Sequence, residues 1–450
     1  MYRIGRIPGG FAKWPASIFY GWWVVIAVSA LYTFTSGIYW YGFSFYFLPI
    51  RGDLSLSYTY MSLALGLGRL VGGLQGPLAG YLIDRLGPRL MITVGGALAG
   101  LAFILLAQVS SYPTFLLVYL GLMVIGFAGG FDLGIISLAN RWFVRRKAQA
   151  MSLLWVGLSL GQALIVPVVV LMIEDMGWRD TATISGVALL VLLAPAFLVI
   201  RNSPEDIGLT PDGQRTVSVP FIGPRARPEK AKRAGGDVDP QVTADPPSGQ
   251  QEVEFTARQG FRSASYWLLS LALAIQIAAS AGLLVHFAPI MDWKGQSAAT
   301  AALLMSINGF AAIPMYLILG LAGDRWPKRK VASYGMVLGG ISLGVLAFSS
   351  SQFWQLLVFI LLYTVAYSTS VVAWAFAGEL LGRKAFATLL GGITMMYSFT
   401  SATTPILVGW IFDSTGSFLG ALLLLAILFI VAGLLFWKIP RPKLSGSQVK

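Results

Sequence analysis

Two charged residues, Arg69 and Asp132, stand inside long apolar stretches of this 450-residue chain. A charge at membrane depth costs roughly 2.5–3.5 kcal/mol on insertion scales, so such a residue marks a candidate functional site. Glycine and alanine surround both side chains, which leaves room for a ligand or for close helix packing. An arginine can hold a carboxylate, and a buried aspartate can take up a proton.

Three interpretations of this pair are open. Counted at about 1.5 Å per residue, the depths of Arg69 and Asp132 differ by roughly 9 Å, about the combined reach of the two side chains. They could form a structural ion pair. Alternatively, Arg69 holds a substrate carboxylate while Asp132 takes a proton, or Asp132 binds a cationic substrate of an exporter. Replacing Asp132 with Asn separates the first two, because proton coupling would vanish only in the second.

Further polar and aromatic residues lie at mid-membrane depth and are candidates for lining a pocket, with packing or interhelical hydrogen bonds as the alternative. The candidate substrate-binding residues beside Arg69 are Tyr32, Tyr39, Trp155, Gln162, Gln276, Asn308 and Trp374. The spacing of Tyr32 and Tyr39 puts them on one helix face. His286, near the end of an apolar stretch, is a second candidate for proton coupling because its ordinary pKa lies near 6.5. An interfacial histidine without a function is the alternative.

The elements that must position these residues are membrane-spanning helices. Hydrophobic residues make up 56% of the chain and charged residues only 11%, against about 25% charged in soluble proteins. Apolar stretches of roughly 20 residues cross a bilayer. Twelve are present: Tyr20–Leu48, Tyr58–Ile83, Leu90–Val109, Thr114–Ala139, Ala148–Ile173, Thr181–Ile200, Ala264–Ile290, Ala298–Ala322, Val331–Ser349, Phe353–Gly378, Ala387–Phe412 and Ser417–Trp437.

A polar break divides the spans into six and six. Residues 201–260 contain eight prolines and seven glycines, and such a composition buries too little apolar surface to offset chain entropy. We therefore predict an N-terminal six-helix unit over 1–200, a largely disordered cytoplasmic linker over 201–260, and a C-terminal six-helix unit with a short tail over 261–450.

The net charge of +13 follows from orientation. With twelve spans, 28 of the 32 basic residues fall on the side of both termini, and only Arg51, Arg179 and Lys294 fall on the other. Basic loops mark the cytoplasmic side, so the termini are predicted to be cytoplasmic, and nucleic acid is not expected as a partner. Without cysteine and with one histidine, thiol chemistry and multi-histidine metal sites are excluded. No nucleophile–base set or cofactor loop indicates an enzyme, and no cofactor is expected.

A loop motif occurs in both halves. Gly80–Arg89 and Gly320–Lys330 share G-x-x-x-D-R followed by basic residues, 240 positions apart, and Arg146–Ala150 has an echo in Arg383–Ala387. Two six-helix halves related by a parallel repeat resemble the major facilitator superfamily. The resemblance implies an all-α integral membrane fold of twelve helices in two bundles. It also implies a latch between the halves, with these matching positions: Asp84, Arg85, Arg89, Asp324 and Arg325. A turn with positive-inside charges is the alternative.

Two further motifs narrow the resemblance. Tyr20–Val25 opens the first span, and Arg141–Met151 joins the fourth and fifth. Together they resemble the branch of monocarboxylate transporters and oxalate–formate antiporters. This implies transport of small organic anions, with protons or a counter-anion as the coupled species. Members of that branch commonly carry an anion-binding arginine in helix 8, and the oxalate antiporters add a lysine in helix 11. The matching stretches here, Asn308–Tyr316 and Thr394–Ser398, hold no cation, which argues against a dicarboxylate.

The sequence therefore predicts a plasma-membrane secondary transporter that moves a small monocarboxylate by alternating access with proton coupling, with Arg69 as the anion site and Asp132 as the proton site, and that acts as a monomer in the lipid bilayer. An exporter of drugs or of neutral or cationic metabolites is the alternative within the same class. From a different class, a non-transporting membrane sensor would require an ordered signalling domain in the linker or tail. The composition of residues 201–260 argues against that domain.

Overall fold

The computed structural model describes residues 19–143, 146–210, 257–350, 352–381 and 386–440, and within these ranges the regular secondary structure is helical. Most of the predicted linker, residues 211–256, lies outside the described residues. Before it, Pro204–Ile207 forms a short 3-10 turn, and after it Ala257–Arg262 forms a short helix.

The first half contains six spans, four of which are divided into segments. α1 comprises Tyr20–Thr35, Ser36–Tyr41 and Phe43–Asp53; α2 comprises Tyr58–Leu74 and Gly76–Leu86; α3 is Pro88–Leu106; α4 comprises Tyr112–Val118, Tyr119–Asp132 and Leu133–Trp142; α5 comprises Lys147–Leu160, Gly161–Ile165 and Val166–Met176; and α6 is Trp178–Val199.

The second half repeats this arrangement. α7 comprises Ala264–Val285 and Phe287–Trp293; α8 is Ala298–Arg325; α9 is Lys328–Phe348; α10 comprises Phe353–Ser368 and Ser370–Leu381; α11 is Phe386–Thr415; and α12 is Leu419–Lys438. The prediction of an all-helical membrane fold with six spans in each half is confirmed.

Ten of these helices are long and apolar enough to cross a membrane by length and composition. The other two, α2 and α11, pack against each other between the halves. α2 divides at Gln75 into segments of 17 and 11 residues, and α11 carries a run of serine and threonine between Thr394 and Thr404. Their lower hydropathy reflects this position, because a helix that faces its partner half needs fewer lipid-compatible side chains.

The halves meet along three helix pairs, α2 with α11, α5 with α8, and α1 with α7. Close approach depends on glycine. A Cβ on Gly66 of α2 would run into the backbone oxygen of Ala402 in α11, and a Cβ on Gly309 of α8 would lie 2.7 Å from the backbone oxygen of Ser159 in α5.

Three spans contain π-helical segments, at Ser36–Tyr41, Tyr119–Asp132 and Gly161–Ile165. A π turn widens the helix and shifts the direction of the side chains that follow, and such turns are frequent at functional sites. Each of the three holds predicted site residues: Tyr39 in the first, Asp132 in the second and Gln162 in the third.

Candidate functional site

Two adjoining cavities lie between the halves, with volumes of about 440 and 520 Å³. They share lining residues from both halves, among them Trp40, Arg69, Tyr367 and Trp374. We call the combined space the central cavity. Each of the two volumes falls within the range of about 300–1,000 Å³ that is typical of small-molecule sites.

The structure brings the predicted substrate residues together around this space. The first cavity is lined by Tyr32, Arg69, Trp155, Gln162, Gln276, Asn308 and Trp374, and the second adds Tyr39 and Asp132. Seven helices contribute these side chains. Their roles in binding stay predictions, but their common location does not depend on any assumed ligand.

Arg69 and Asp132 face the same cavity without pairing. The guanidinium of Arg69 lies within electrostatic reach of the hydroxyls of Tyr39, Tyr119 and Tyr367. The Asp132 carboxyl lies beside the indole of Trp40, although by strict geometry Asp132 Oδ1 has no hydrogen-bond partner among the described residues. Ion pairs within the described ranges occur elsewhere. In this conformation both charges are therefore available to a ligand.

Small residues of α2 set this geometry. A Cβ on Gly68 would lie 2.7 Å from the ring of Tyr119, and one on Gly72 would lie 3.3 Å from the Cβ of Ala128. The glycines let α2 approach α4, and they place Arg69 and Asp132 in one space. Of the described residues that line the central cavity, Arg69 is the single cation and Asp132 the single anion.

A chain of amide hydrogen bonds crosses the wall of the cavity. Gln162 Nε2 donates to Asn308 Oδ1 at 3.1 Å, and Asn308 Nδ2 donates to Thr364 Oγ1 at 2.9 Å. Gln162 and Asn308 therefore line the cavity and also join α5 to α8, and a role for them in substrate binding stays a prediction.

Sequence reasoning missed four tyrosines of the first cavity: Tyr41, Tyr316, Tyr363 and Tyr367. The spacing of Tyr363 and Tyr367 puts them on one face of α10, and this was an available signal. A tyrosine in an apolar helix is commonly an interfacial or packing residue, so the spacing alone did not distinguish them.

His286 lies outside the central cavity. It is fully buried between the two segments of α7, where Nδ1 is 3.1 Å from the Gly282 carbonyl oxygen and Nε2 is 2.7 Å from Ser62 Oγ. A carbonyl can only accept, so Nδ1 carries the proton and Nε2 accepts from Ser62. The contact joins α7 to α2 across the interface, and a role in proton transfer stays a prediction.

The predicted latch residues form contacts within one half. Asp84 pairs with Arg141 at 3.4 Å, Arg85 lies over the ring of Tyr81, and the Arg89 backbone donates to Asn202 Oδ1 at 3.0 Å. Arg325 is exposed, and the side chain of Asp324 lies outside the described residues. The latch between halves stays a prediction.

Besides the Gln162–Asn308 bond in the cavity wall, the halves are joined by hydrogen bonds at the opposite end, near Asp53 and Asp413, which we call the loop face. The end bearing Asp84 and Glu379 is the terminal face. At the loop face, Asp413 accepts from the backbone N–H groups of Tyr58 and Thr59 at 3.0 and 2.7 Å, and from the Thr59 hydroxyl. The ring of Tyr58 also packs against Phe412 and Phe418 of the other half, and these contacts close the space between the halves at this face.

Comparison with known proteins agrees with this architecture. Monocarboxylate transporter 12 of Mus musculus is 26% identical over 433 residues, which cover 92% of this chain and 85% of that protein. The probable L-galactonate transporter of Escherichia coli is 25% identical over 84% of this chain and 80% of its own length. The oxalate:formate antiporter of Oxalobacter formigenes is 28% identical over 38% of this chain and 41% of its own length.

The fold matches a solved structure. A bacterial homologue of the human lysosomal transporter Spinster, in an inward-facing and occupied conformation, superposes with a TM-score of 0.71 at 14% identity, covering 94% of this chain and 97% of that one. The family model described as Major Facilitator Superfamily matches residues 29–294 and 259–449. The chain therefore belongs to the major facilitator superfamily of membrane transporters.

Proposed function

We propose that the protein is a secondary active transporter of a small monocarboxylate, coupled to protons. The observation that carries this proposal is the placement of Arg69. It is the single cation among the described residues that line the central cavity, and it forms no ion pair with Asp132. One guanidinium matches one carboxylate. The monocarboxylate transporters and the oxalate:formate antiporter among the similar proteins support the same substrate class.

Charge balance explains how the two residues couple. The empty site holds Arg69⁺ and Asp132⁻ and has no net charge. A bound monocarboxylate and a protonated Asp132 restore neutrality, whereas either ligand alone leaves one uncompensated charge in a low-dielectric interior, which is costly. Only the empty and the doubly loaded carrier then change conformation readily. The result is electroneutral symport of one proton with one anion.

Transport proceeds by rocking of the two halves around the central cavity. We assign the moving bodies to residues 1–200 and 261–450, with 201–260 as the linker between them. The terminal face carries most of the basic residues, and so we place it in the cytoplasm and both chain termini with it. We place the protein in the plasma membrane. It works as a monomer, because residues of a single chain line the central cavity.

The test is uptake into proteoliposomes with an imposed pH gradient and a panel of radiolabelled monocarboxylates. We expect acid outside to drive uptake. Asp132→Asn should abolish net uptake but retain exchange of internal for external anion, because its loaded site is neutral while its empty site carries one positive charge. Arg69→Gln should abolish both. Proton-driven uptake that persists in Asp132→Asn would rule out the coupling mechanism.

An exporter of cationic compounds is a second candidate, favoured by the unpaired Asp132 Oδ1 in the cavity. In that case Asp132→Asn would abolish binding of cations, while Arg69→Gln would preserve or strengthen it. A panel of lipophilic cations and monocarboxylates, assayed for thermal stabilisation of the purified wild type and both variants, distinguishes the two functions.

A further inference from the structure

Five tyrosines line one region of the first cavity. Tyr32, Tyr41, Tyr316, Tyr363 and Tyr367 all contribute to its wall. Tyr41 of the π segment in α1 lies within electrostatic reach of the other four. We call this group the tyrosine cluster. It brings phenol rings from α1, α8 and α10 together, and so both halves contribute to it.

The cluster continues to the cation. The rings of Tyr363 and Tyr367 are stacked, with centroids 5.9 Å apart and planes at 22°. Tyr367 borders both cavities and lies within electrostatic reach of Arg69. Trp374, about two helical turns beyond Tyr367 along α10, also borders both cavities. A flat group attached to a carboxylate at Arg69 would therefore meet aromatic faces.

Several polar groups near the cluster already have partners. One N–H of Gln162 and one of Asn308 donate to Asn308 and Thr364, and Ser280 interacts with the Tyr363 hydroxyl. A polyhydroxylated acid needs many free hydrogen-bonding groups, because each buried hydroxyl left without a partner is costly. Aromatic rings make up much of the remaining wall.

We propose, on the basis of the function proposed above, that the substrate is an aromatic monocarboxylate. Its carboxylate binds Arg69, and its ring packs against Trp374 and against Tyr367 of the tyrosine cluster. Aromatic pairs prefer offset-stacked or edge-to-face contacts and gain stability beyond that of area burial. The cavity thus selects for a planar π system in addition to hydrophobic volume.

Matched ligands test the ring. Binding to the purified full-length protein is measured by calorimetry at pH 7.5 for benzoate, cyclohexanecarboxylate, lactate and galactonate. Benzoate and cyclohexanecarboxylate have the same carbon count and charge, and differ in aromaticity. We expect benzoate to bind about tenfold more tightly than cyclohexanecarboxylate, and lactate and galactonate to bind more weakly than either.

The outcomes separate this inference from the proposed function. If cyclohexanecarboxylate, lactate or galactonate binds as well as benzoate and all binding requires Arg69, the aromatic preference is wrong and the monocarboxylate function stands. If none of the four acids binds, the proposed function fails and this inference fails with it.

Variants test the location of the ring. Tyr367→Leu should reduce the ratio of benzoate to cyclohexanecarboxylate affinity towards one, whereas Tyr367→Phe, which keeps the ring, should preserve that ratio. Tyr363→Leu serves as a second variant if Tyr367→Leu does not fold. Tyr334→Leu is the matched control, because Tyr334 is an exposed tyrosine of α9 outside both cavities. An unchanged ratio in the folded Tyr367→Leu and Tyr363→Leu variants would overturn the proposed placement.

Discussion

The loop face and the terminal face hold their polar contacts in different ways. At the loop face, Asp413 of α11 binds Tyr58 and Thr59 of α2, and Ser44 of α1 binds the backbone of α7. These bonds join one half to the other. At the terminal face, Asp84 pairs with Arg141 and Lys328 pairs with Glu379, and each pair stays within its own half.

This difference shows how the protein is closed at one end. Asp413 places a carboxylate at the N-terminus of α2, where the helix has unsatisfied N–H groups and a partial positive charge. The closed loop face therefore depends on the burial of a helix end by the opposite half. The ion pairs of the terminal face do not join the halves, and Trp155, deeper in α5, lines the central cavity and is 53% exposed.

The largest predicted effect comes from removing the carboxylate that bridges the loop face. Asp413→Ala leaves the N–H groups of Tyr58 and Thr59 without their partner, and we expect a loss of about 3 kcal/mol for the closed loop face. Because the chain has no cysteine, spin labels can be placed at Gln108→Cys and Ala299→Cys, exposed positions in opposite halves. The distance between the two labels is measured by pulsed dipolar spectroscopy. The fraction of molecules with a longer distance should be much larger in Asp413→Ala than in the wild type.

Asp53→Ala is the matched control for that experiment. Asp53 also lies at the loop face and accepts from N–H donors, but these belong to Trp178 and Arg179 of the same half. The label separation should stay at its wild-type value. An equal shift in both variants would mean that any lost carboxylate loosens this face, and that the bridge between halves has no special role.

A second prediction concerns backbone contact between α2 and α11. Gly66→Ala places a methyl group against the Ala402 backbone oxygen, and overpacking of this kind costs about 2 kcal/mol. The label separation should shift as in Asp413→Ala, but in fewer molecules. Gly80→Ala, on the same helix with open space around it, should leave the distribution unchanged. If Gly66→Ala also leaves it unchanged, the helices do not need to be this close for closure.

Local sequence pattern predicts one part of this arrangement and not the other. Arg69 and Asp132 are identifiable because a charge within an apolar stretch can be tolerated only in the protein interior, and this places both in the central cavity. Asp413 lies near the end of its helix among polar residues, where an acidic residue is common and does not indicate a function. Its partners are 355 and 354 residues away, and so only the packing of α2 on α11 identifies it.

A smaller effect is expected at the buried histidine. Ser62→Ala removes the hydroxyl that donates to His286 Nε2, and one unsatisfied neutral acceptor costs about 1 kcal/mol. The population of molecules with the longer label separation should increase roughly fivefold. Ser270→Ala is the control, because Ser270 is buried and its hydroxyl donates to the Tyr266 carbonyl in its own helix. A shift in the control equal to that of Ser62→Ala would contradict an effect specific to the interface.

The smallest effect should appear in the acid response of the contact within the first half. Asp53 lies beyond the apolar span Tyr20–Tyr41, and a hydrogen bond from Trp178, with a further contribution from Arg179, lowers the pKa of its carboxyl. A carboxyl with a lowered pKa stabilises the folded state above its unfolded pKa, near 3.9, and loses this contribution as the pH falls through the lowered value. Because the pair is partly exposed, the contribution should stay below about 1 kcal/mol.

The melting temperature of the wild type should therefore exceed that of Asp53→Asn by a constant small amount between pH 5.5 and 8. This difference should begin to fall near pH 4 and vanish only below the lowered pKa of the Asp53 carboxyl. The label separation should not follow the same titration, because the contact lies within one half and does not distinguish the closed from the open loop face. A label separation that titrates in the wild type and not in Asp53→Asn would show that this contact also controls closure. The distinction between bonds within a half and bonds between halves would then fail at the loop face itself.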